Sequence, residues 1–262
     1  MGIFDFIKKN KPTQEVQVLQ ELKDERKAKC PNCHEALKKV PGAKTKCPHC
    51  GKFMFVRTTP DNVRLVVTKD EAEKIDEQWR IENGTQETYL EEQKKFKDKK
   101  EALRKKFGGK ESSDHDVQWG LLNEDLLNYA KSGQWVSYRS AIFQMAEILR
   151  KEKRLKEALR MYLGVCYLDL NGATNMMTNE SGSIISDPEF NKPFDSGLAF
   201  LAPGVIDRIK KIIEKLELSK EEVKEIYFDF SNKIKKHTRA PITPVDCFSN
   251  LEAEIWTQFD EH

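Results

Sequence analysis

Four cysteines in two close pairs constrain this chain more than any other feature. Cys30-Pro-Asn-Cys33 and Cys47-Pro-His-Cys50-Gly51 are separated by 13 residues. Two residues between thiolates let both reach one ion from a single tight turn. Two such turns face to face complete a tetrahedron of sulfur, the closed geometry of structural zinc. Proline after the first cysteine of each pair restrains the turn, and Gly51 offers the positive φ that brings backbone amides toward sulfur. The pattern predicts Zn2+ held by Cys30, Cys33, Cys47 and Cys50. A thioredoxin-like redox site needs one Cys-x-x-Cys within a βαβ pattern, and that context is missing. His34-Glu35 opens like the metalloprotease motif H-E-x-x-H, but Lys38 stands where the second histidine belongs. His34 and His49 each sit beside a complete set of four thiols, so they are expected outside the ligand shell. Four cysteines leave no open coordination position, which points to a structural ion rather than a catalytic one.

Charge divides the chain. Residues 1–110 carry 26 Lys/Arg against 18 Asp/Glu, and residues 111–262 carry 19 against 25. A basic front and an acidic back predict two modules with different partners. With 34% charged residues and a mean hydropathy of −0.68, no apolar run approaches the roughly 18 residues of a membrane-spanning helix. Met1–Lys11 has too few apolar residues for a secretory signal core. The expectation is a cytoplasmic protein without a membrane span, whose cysteines bind metal or pack.

Residues 1–29 read as an amphipathic tail and a helix opened near Pro12. Residues 30–68 hold the cysteines and then two short strands. Phe53–Arg57 is aromatic and β-branched but alternates poorly, and Val63–Val67 follows a Thr59–Asn62 turn. Residues 69–112 form a charged helical linker. Thr68 and Glu71 make a capping box for a helix to about Glu82, which Asn83-Gly84 stops. A second helix over 85–107 carries Tyr89, Phe96 and Leu103 seven apart, a thin apolar seam. Gly108-Gly109 and Ser112-Ser113 mark a boundary. Residues 113–262 then read as helix after helix, near 114–131, 135–151, 154–171, 203–217, 220–237 and 250–260. Ser219 with Glu222 and Ser249 with Glu252 supply capping boxes, and Pro203 suits a first helical position. Pro241 and Pro244 read as breaks before the last helix. The stretch 172–202 has no helical period and is long for a loop. Trp119, Tyr129, Trp135 and Trp256 read as core residues, and Cys166 and Cys247 as packing residues. The fold class is thus mainly α, with a small β-hairpin module in front.

The two CP-x-C knuckles followed by a hairpin resemble the zinc ribbon family over residues 28–68. That resemblance implies a nucleic-acid or protein ligand. Lys38, Lys39, Lys44, Lys46 and Lys52, set against one acid (Glu35) between residues 30 and 52, suit a phosphate backbone; Phe53, Phe55 and Arg57 would join the same face. Residues 139–172 resemble one tetratricopeptide repeat. Ala146 sits at that family's small position in the first helix, with Ala158 and Tyr162 at the small and aromatic positions in the second. Leu170 stands where proline is usual and Ile142 where tryptophan is common, and no second copy with the same period follows. The overall layout also resembles proteins of bacteria and their mobile elements. Residues 206–234 have a helix-turn-helix outline, but Lys-Glu-Glu-Val-Lys-Glu puts carboxylates where DNA phosphates would lie. Gly108-Gly-Lys-Glu111 lacks the rest of a phosphate-binding loop, and Asp114-His-Asp116 does not converge on one point. The expectation is a non-enzymatic zinc-binding adaptor. Its ribbon contacts nucleic acid and its helical half a protein partner; the alternatives are a purely protein-binding scaffold, or an enzyme with a structural zinc.

Overall fold

The computed structural model describes residues 29–177 and 192–256. The amphipathic tail and the helix expected before Lys29 lie outside the described residues. The described chain is mainly helical, with eight α-helices and one small three-stranded antiparallel sheet. It forms two compact units that divide between Lys95 and Phe96.

In the first unit, β1 (Thr45–Lys46), β2 (Phe53–Thr58) and β3 (Arg64–Val67) lie in that order. Thr45 pairs with Met54 and Lys46 with Phe53; Phe55 pairs with Val67 and Arg57 with Leu65. The β2–β3 turn closes through Thr59, whose N–H donates to the Val63 carbonyl at 2.9 Å, with Asn62 at φ +65°. Side chains alternate along a strand, so β2 has two faces. Met54 packs with Val66, Leu37 and the cysteines. Phe55 packs with Leu65, Val67, Ala72 and Ile75. Both faces of the sheet are therefore covered, which explains why the strand alternates poorly in apolar character.

Ala72 and Ile75 belong to α1 (Lys69–Glu82), which starts at the Thr68–Glu71 capping box. The sequence groups this helix with a charged linker; in the structure it packs on the sheet. Arg57 and Asp76 fix its register through two bonds of 2.7 and 3.1 Å, and Trp79 Nε1 donates to the Thr58 carbonyl at 2.7 Å. Gly84 at φ +67° ends the helix, as its lack of Cβ allows. Arg80 then stacks 3.9 Å from the ring centre of Tyr89 in α2 (Gln86–Lys106). No residue of α2 is fully buried; Tyr89, Phe96 and Leu103 are half-buried along its seam.

The second unit holds α3 (Asp114–Ser132), α4 (Trp135–Lys151), α5 (Leu155–Leu170), α6 (Pro203–Leu216), α7 (Lys220–Thr238) and α8 (Pro244–Trp256). Ala158, Leu159, Tyr162, Leu163, Val165, Cys166, Tyr167 and Leu168 of α5 are all buried. A helix apolar on every side belongs at the centre of its unit, and α5 has α4, α6, α7 and α8 around it. Ala146 and Ala158 are fully buried where α4 meets α5. Gly164 permits the close approach of α7: a Cβ there would lie 2.5 Å from the Phe230 ring and 2.8 Å from Ile234 Cδ1.

The last helix differs from expectation. It begins at Pro244, not near residue 250. Thr243 caps it, accepting the Asp246 N–H at 3.2 Å and donating to the Asp246 carboxylate at 2.6 Å. Pro244 occupies the first turn, where its missing N–H costs nothing, and Ser249 lies inside the helix.

The long stretch after α5 is pinned at both ends. Ala173 bridges Phe194 and Asn175 bridges Gln134. Phe194 stacks on Trp135 at 6.0 Å between centroids. Trp135 is buried, and Trp119, Tyr129 and Trp256 are half-buried against the core clusters.

Candidate metal centre and basic face

The two cysteine turns are built alike. In the first, the Cys30 N–H donates to Glu35 O (2.8 Å) and the His34 N–H to Cys30 O (2.9 Å). In the second, the Cys47 N–H donates to Lys52 O (2.9 Å) and the Gly51 N–H to Cys47 O (2.9 Å). The N–H groups of Asn32 and His49 each point at the leading sulfur, at 3.4 Å. Position for position, His34 matches Gly51, with φ +60° and +70°. The residue type alone points to positive φ only at the glycine. The equivalent offset from each leading cysteine was the available signal for His34.

The four sulfurs lie within 4.8 Å of one another. Cys30 Sγ is 3.9 Å from Cys50 Sγ, and Cys33 Sγ is 3.8 Å from Cys47 Sγ. Cys30 and Cys47 are buried, and Cys33 and Cys50 are half-buried. Burial opposes ionisation of Cys30, but N–H groups of the turn and the thiols of Cys47 and Cys33 outweigh it and bring the group down to about 7. At Cys33 the Glu35 N–H favours the thiolate, yet burial and the thiols of Cys30, Cys50 and Cys47 push the group up to about 12. One sulfur of the set ionises readily and a second resists, because like charges this close repel. A cation among them reverses that opposition. The donor set therefore fits a metal ion, and among the described residues it is the cluster whose geometry does so.

Beside this centre lies a basic face. Lys44 Nζ sits 4.6 Å from the Phe53 ring centre and 5.1 Å from that of Phe55, and Lys46 Nζ sits 5.3 Å from Phe53. Phe53 is 48% exposed. Lys38 and Lys39 join Lys44 and Lys46 around an open groove of about 590 Å3, which His49 also lines. Lys52 is exposed but does not line the groove, and its carbonyl serves the second cysteine turn. Arg57 is held by Asp76. The expected residues thus divide: Lys44 and Lys46 meet Phe53 and Phe55, Lys38 and Lys39 line the groove with Met54, which lies on the other face of β2, and Arg57 faces helix α1.

In the second unit, Asp114, His115 and Asp116 turn to three different partners: Lys100, Glu152 and the Ser113 cap. Cys166 and Cys247 are fully buried; burial pushes both thiols up, that of Cys247 to about 11. Glu147 receives Arg150 at 2.7 Å, Arg208 at 2.8 Å and the Tyr162 hydroxyl. No helix among the described residues is long and apolar enough to cross a membrane. No protein-family model matches the chain, and neither a curated protein nor a solved structure is significantly similar to it.

Proposed function

We propose that this chain is a zinc-stapled, non-catalytic adaptor whose first unit contacts nucleic acid and whose helical unit contacts a protein. A zinc–sulfur bond of about 2.3 Å at tetrahedral corners separates neighbouring sulfurs by about 3.8 Å. The separations of 3.8 and 3.9 Å agree with it. An all-thiolate set selects zinc or iron over harder cations. Cys30, Cys33, Cys47 and Cys50 would fill the ion's coordination, so its role is to hold the two turns against β2. Both units carry the features of the families they resemble: paired knuckles with a hairpin in one, and small residues between two helices in the other.

The observation that carries the nucleic-acid reading is the convergence of the Lys44 and Lys46 ammonium groups on the half-exposed Phe53 ring. Cations beside an aromatic surface suit a phosphate chain and its bases together. The test is equilibrium binding to single-stranded and duplex oligonucleotides across a salt series. Counterion release makes the logarithm of affinity fall linearly with that of salt. Replacing Lys44 and Lys46 with glutamate should weaken binding to every sequence alike and flatten the slope. Binding indifferent to both substitutions would favour the protein-scaffold reading. One observation already supports that alternative: the Asp76 carboxylate takes up Arg57 and removes a cation from the face.

A further inference from the structure

We infer that the groove beside β1 accepts one unstacked nucleotide of a single strand, its base against Val40, Pro41 and Ala43 and its phosphate beside Lys38 and Lys39. This rests on the nucleic-acid reading above and adds a place for the base.

The groove's volume of about 590 Å3 lies within the ordinary range of ligand sites, about 300–1,000 Å3. Its walls are mostly apolar, with Leu37, Val40, Pro41, Ala43, Pro48 and Met54 among them. Lys38 and Lys39 line it as well, and no carboxylate does, while the ammonium groups of Lys44 and Lys46 turn to the Phe53 ring. An apolar floor flanked by two lysines and no carboxylate suits a ligand that is apolar at one end and anionic at the other. The loop that forms it is braced: Arg64 Nη2 donates to the Gly42 carbonyl at 2.8 Å, and Leu37 packs on the cysteine cluster. Paired bases in a duplex are stacked and cannot enter such a site, whereas splayed bases of a single strand can.

An acidic peptide would satisfy the lysines but lacks a second anchor. Adding a peptide strand requires an edge of several residues, and β1, the strand at this edge, has two. The apolar wall therefore favours the nucleotide.

The test uses the full chain and a charge-neutral double substitution, Val40→Gln with Ala43→Gln. Both residues are exposed and lie outside the core clusters, so the fold is retained. Fluorescence anisotropy is measured with a labelled thymidine oligonucleotide of about 15 nucleotides and with a duplex of equal length. The double variant should bind the single strand about tenfold more weakly, the scale of losing one base contact, while duplex affinity stays within about twofold. Equal losses on both, or no loss on either, would overturn the groove. A second measurement follows the Val40 and Ala43 methyl resonances. Thymidine monophosphate should shift them and inorganic phosphate should not; identical responses to the two would overturn the proposal. So would displacement of the oligonucleotide by a glutamate-rich peptide at equal charge concentration, which would assign the groove to acidic peptides. Failure of the unaltered chain to bind any nucleic acid at low salt refutes the underlying reading. Indifference of the double variant alone refutes only the groove.

Discussion

Asn171→Ala should destabilise the helical unit by about 2–3 kcal/mol, because one side chain there holds the approach to the last helix. Asn171 is fully buried at the end of α5. Its Oδ1 accepts the Ile242 N–H at 2.7 Å, and its Nδ2 donates to the Tyr167 carbonyl at 2.8 Å. Tyr167 reaches the same place from one turn earlier, its hydroxyl donating to the Ile242 carbonyl at 2.9 Å. Both polar groups of Ile242 are thus satisfied by α5, two residues before α8 begins. Truncation leaves the Ile242 N–H unpaired, at about 1–3 kcal/mol. The Tyr167 carbonyl keeps the Asn171 N–H at 3.2 Å, so its loss is minor. A small void adds roughly a further 1 kcal/mol at most. Removing the Tyr167 hydroxyl alone, as in Tyr167→Phe, should cost about 1 kcal/mol. The two changes should not add, since each loosens the same segment. Urea unfolding followed by far-ultraviolet circular dichroism measures all three variants; for a unit of this size the Asn171→Ala loss corresponds to a Tm lower by about 5–10 °C. A loss below about 0.5 kcal/mol, or strict additivity in the double variant, would refute the reasoning.

Glu147 gives a pH-dependent prediction. Burial alone would raise its pKa, but Arg150, Tyr162 and Arg208 outweigh it and hold the carboxyl at about 2. Its contribution is therefore complete above the ordinary carboxylate value of 4.5 and lost as pH falls from there towards 2; the stability deficit of Glu147→Gln in urea should shrink across that window, and a constant deficit would contradict it. Gly164→Ala gains about 1 kcal/mol of helix propensity but crowds Phe230 and the fully enclosed Ile234. Overpacking of roughly 1–3 kcal/mol should leave a net loss in the same assay, and a stabilised variant would mean that α7 yields more than its packing implies. His34→Gly should keep the bound ion and stabilise the first turn by up to about 1 kcal/mol, because a left-handed residue loses its Cβ penalty; loss of metal on substitution would identify the imidazole as a ligand.

Legibility in the sequence followed how local each cause was. The cysteine pairs act within four residues, so their spacing alone foretold the convergence of the sulfurs. The Thr68–Glu71 and Ser219–Glu222 boxes are equally local and both cap helices. Ser249–Glu252 carries the same pattern and fails, since helix interiors also contain it by chance. There the Ser249 hydroxyl points back toward the Val245 carbonyl. Pro244 read as a breaker because proline stops a helix and starts one with the same ring. Arg57 could not be read at all: its partner Asp76 lies nineteen residues on and meets it only once α1 folds onto the sheet. The same packing covers the second face of β2 and hides its alternation. The pinned ends of the 172–202 stretch were also hidden, because a bridge such as Ala173–Phe194 leaves no periodic trace.

Elemental analysis of the purified full chain by plasma mass spectrometry tests the central claim most directly. The account predicts one zinc per chain, retained through dialysis at neutral pH and released together with the appearance of four reactive thiols when acid or a chelator is added. A chain that carries no metal, and whose Cys30, Cys33, Cys47 and Cys50 all react freely while the sheet stays folded, would contradict it.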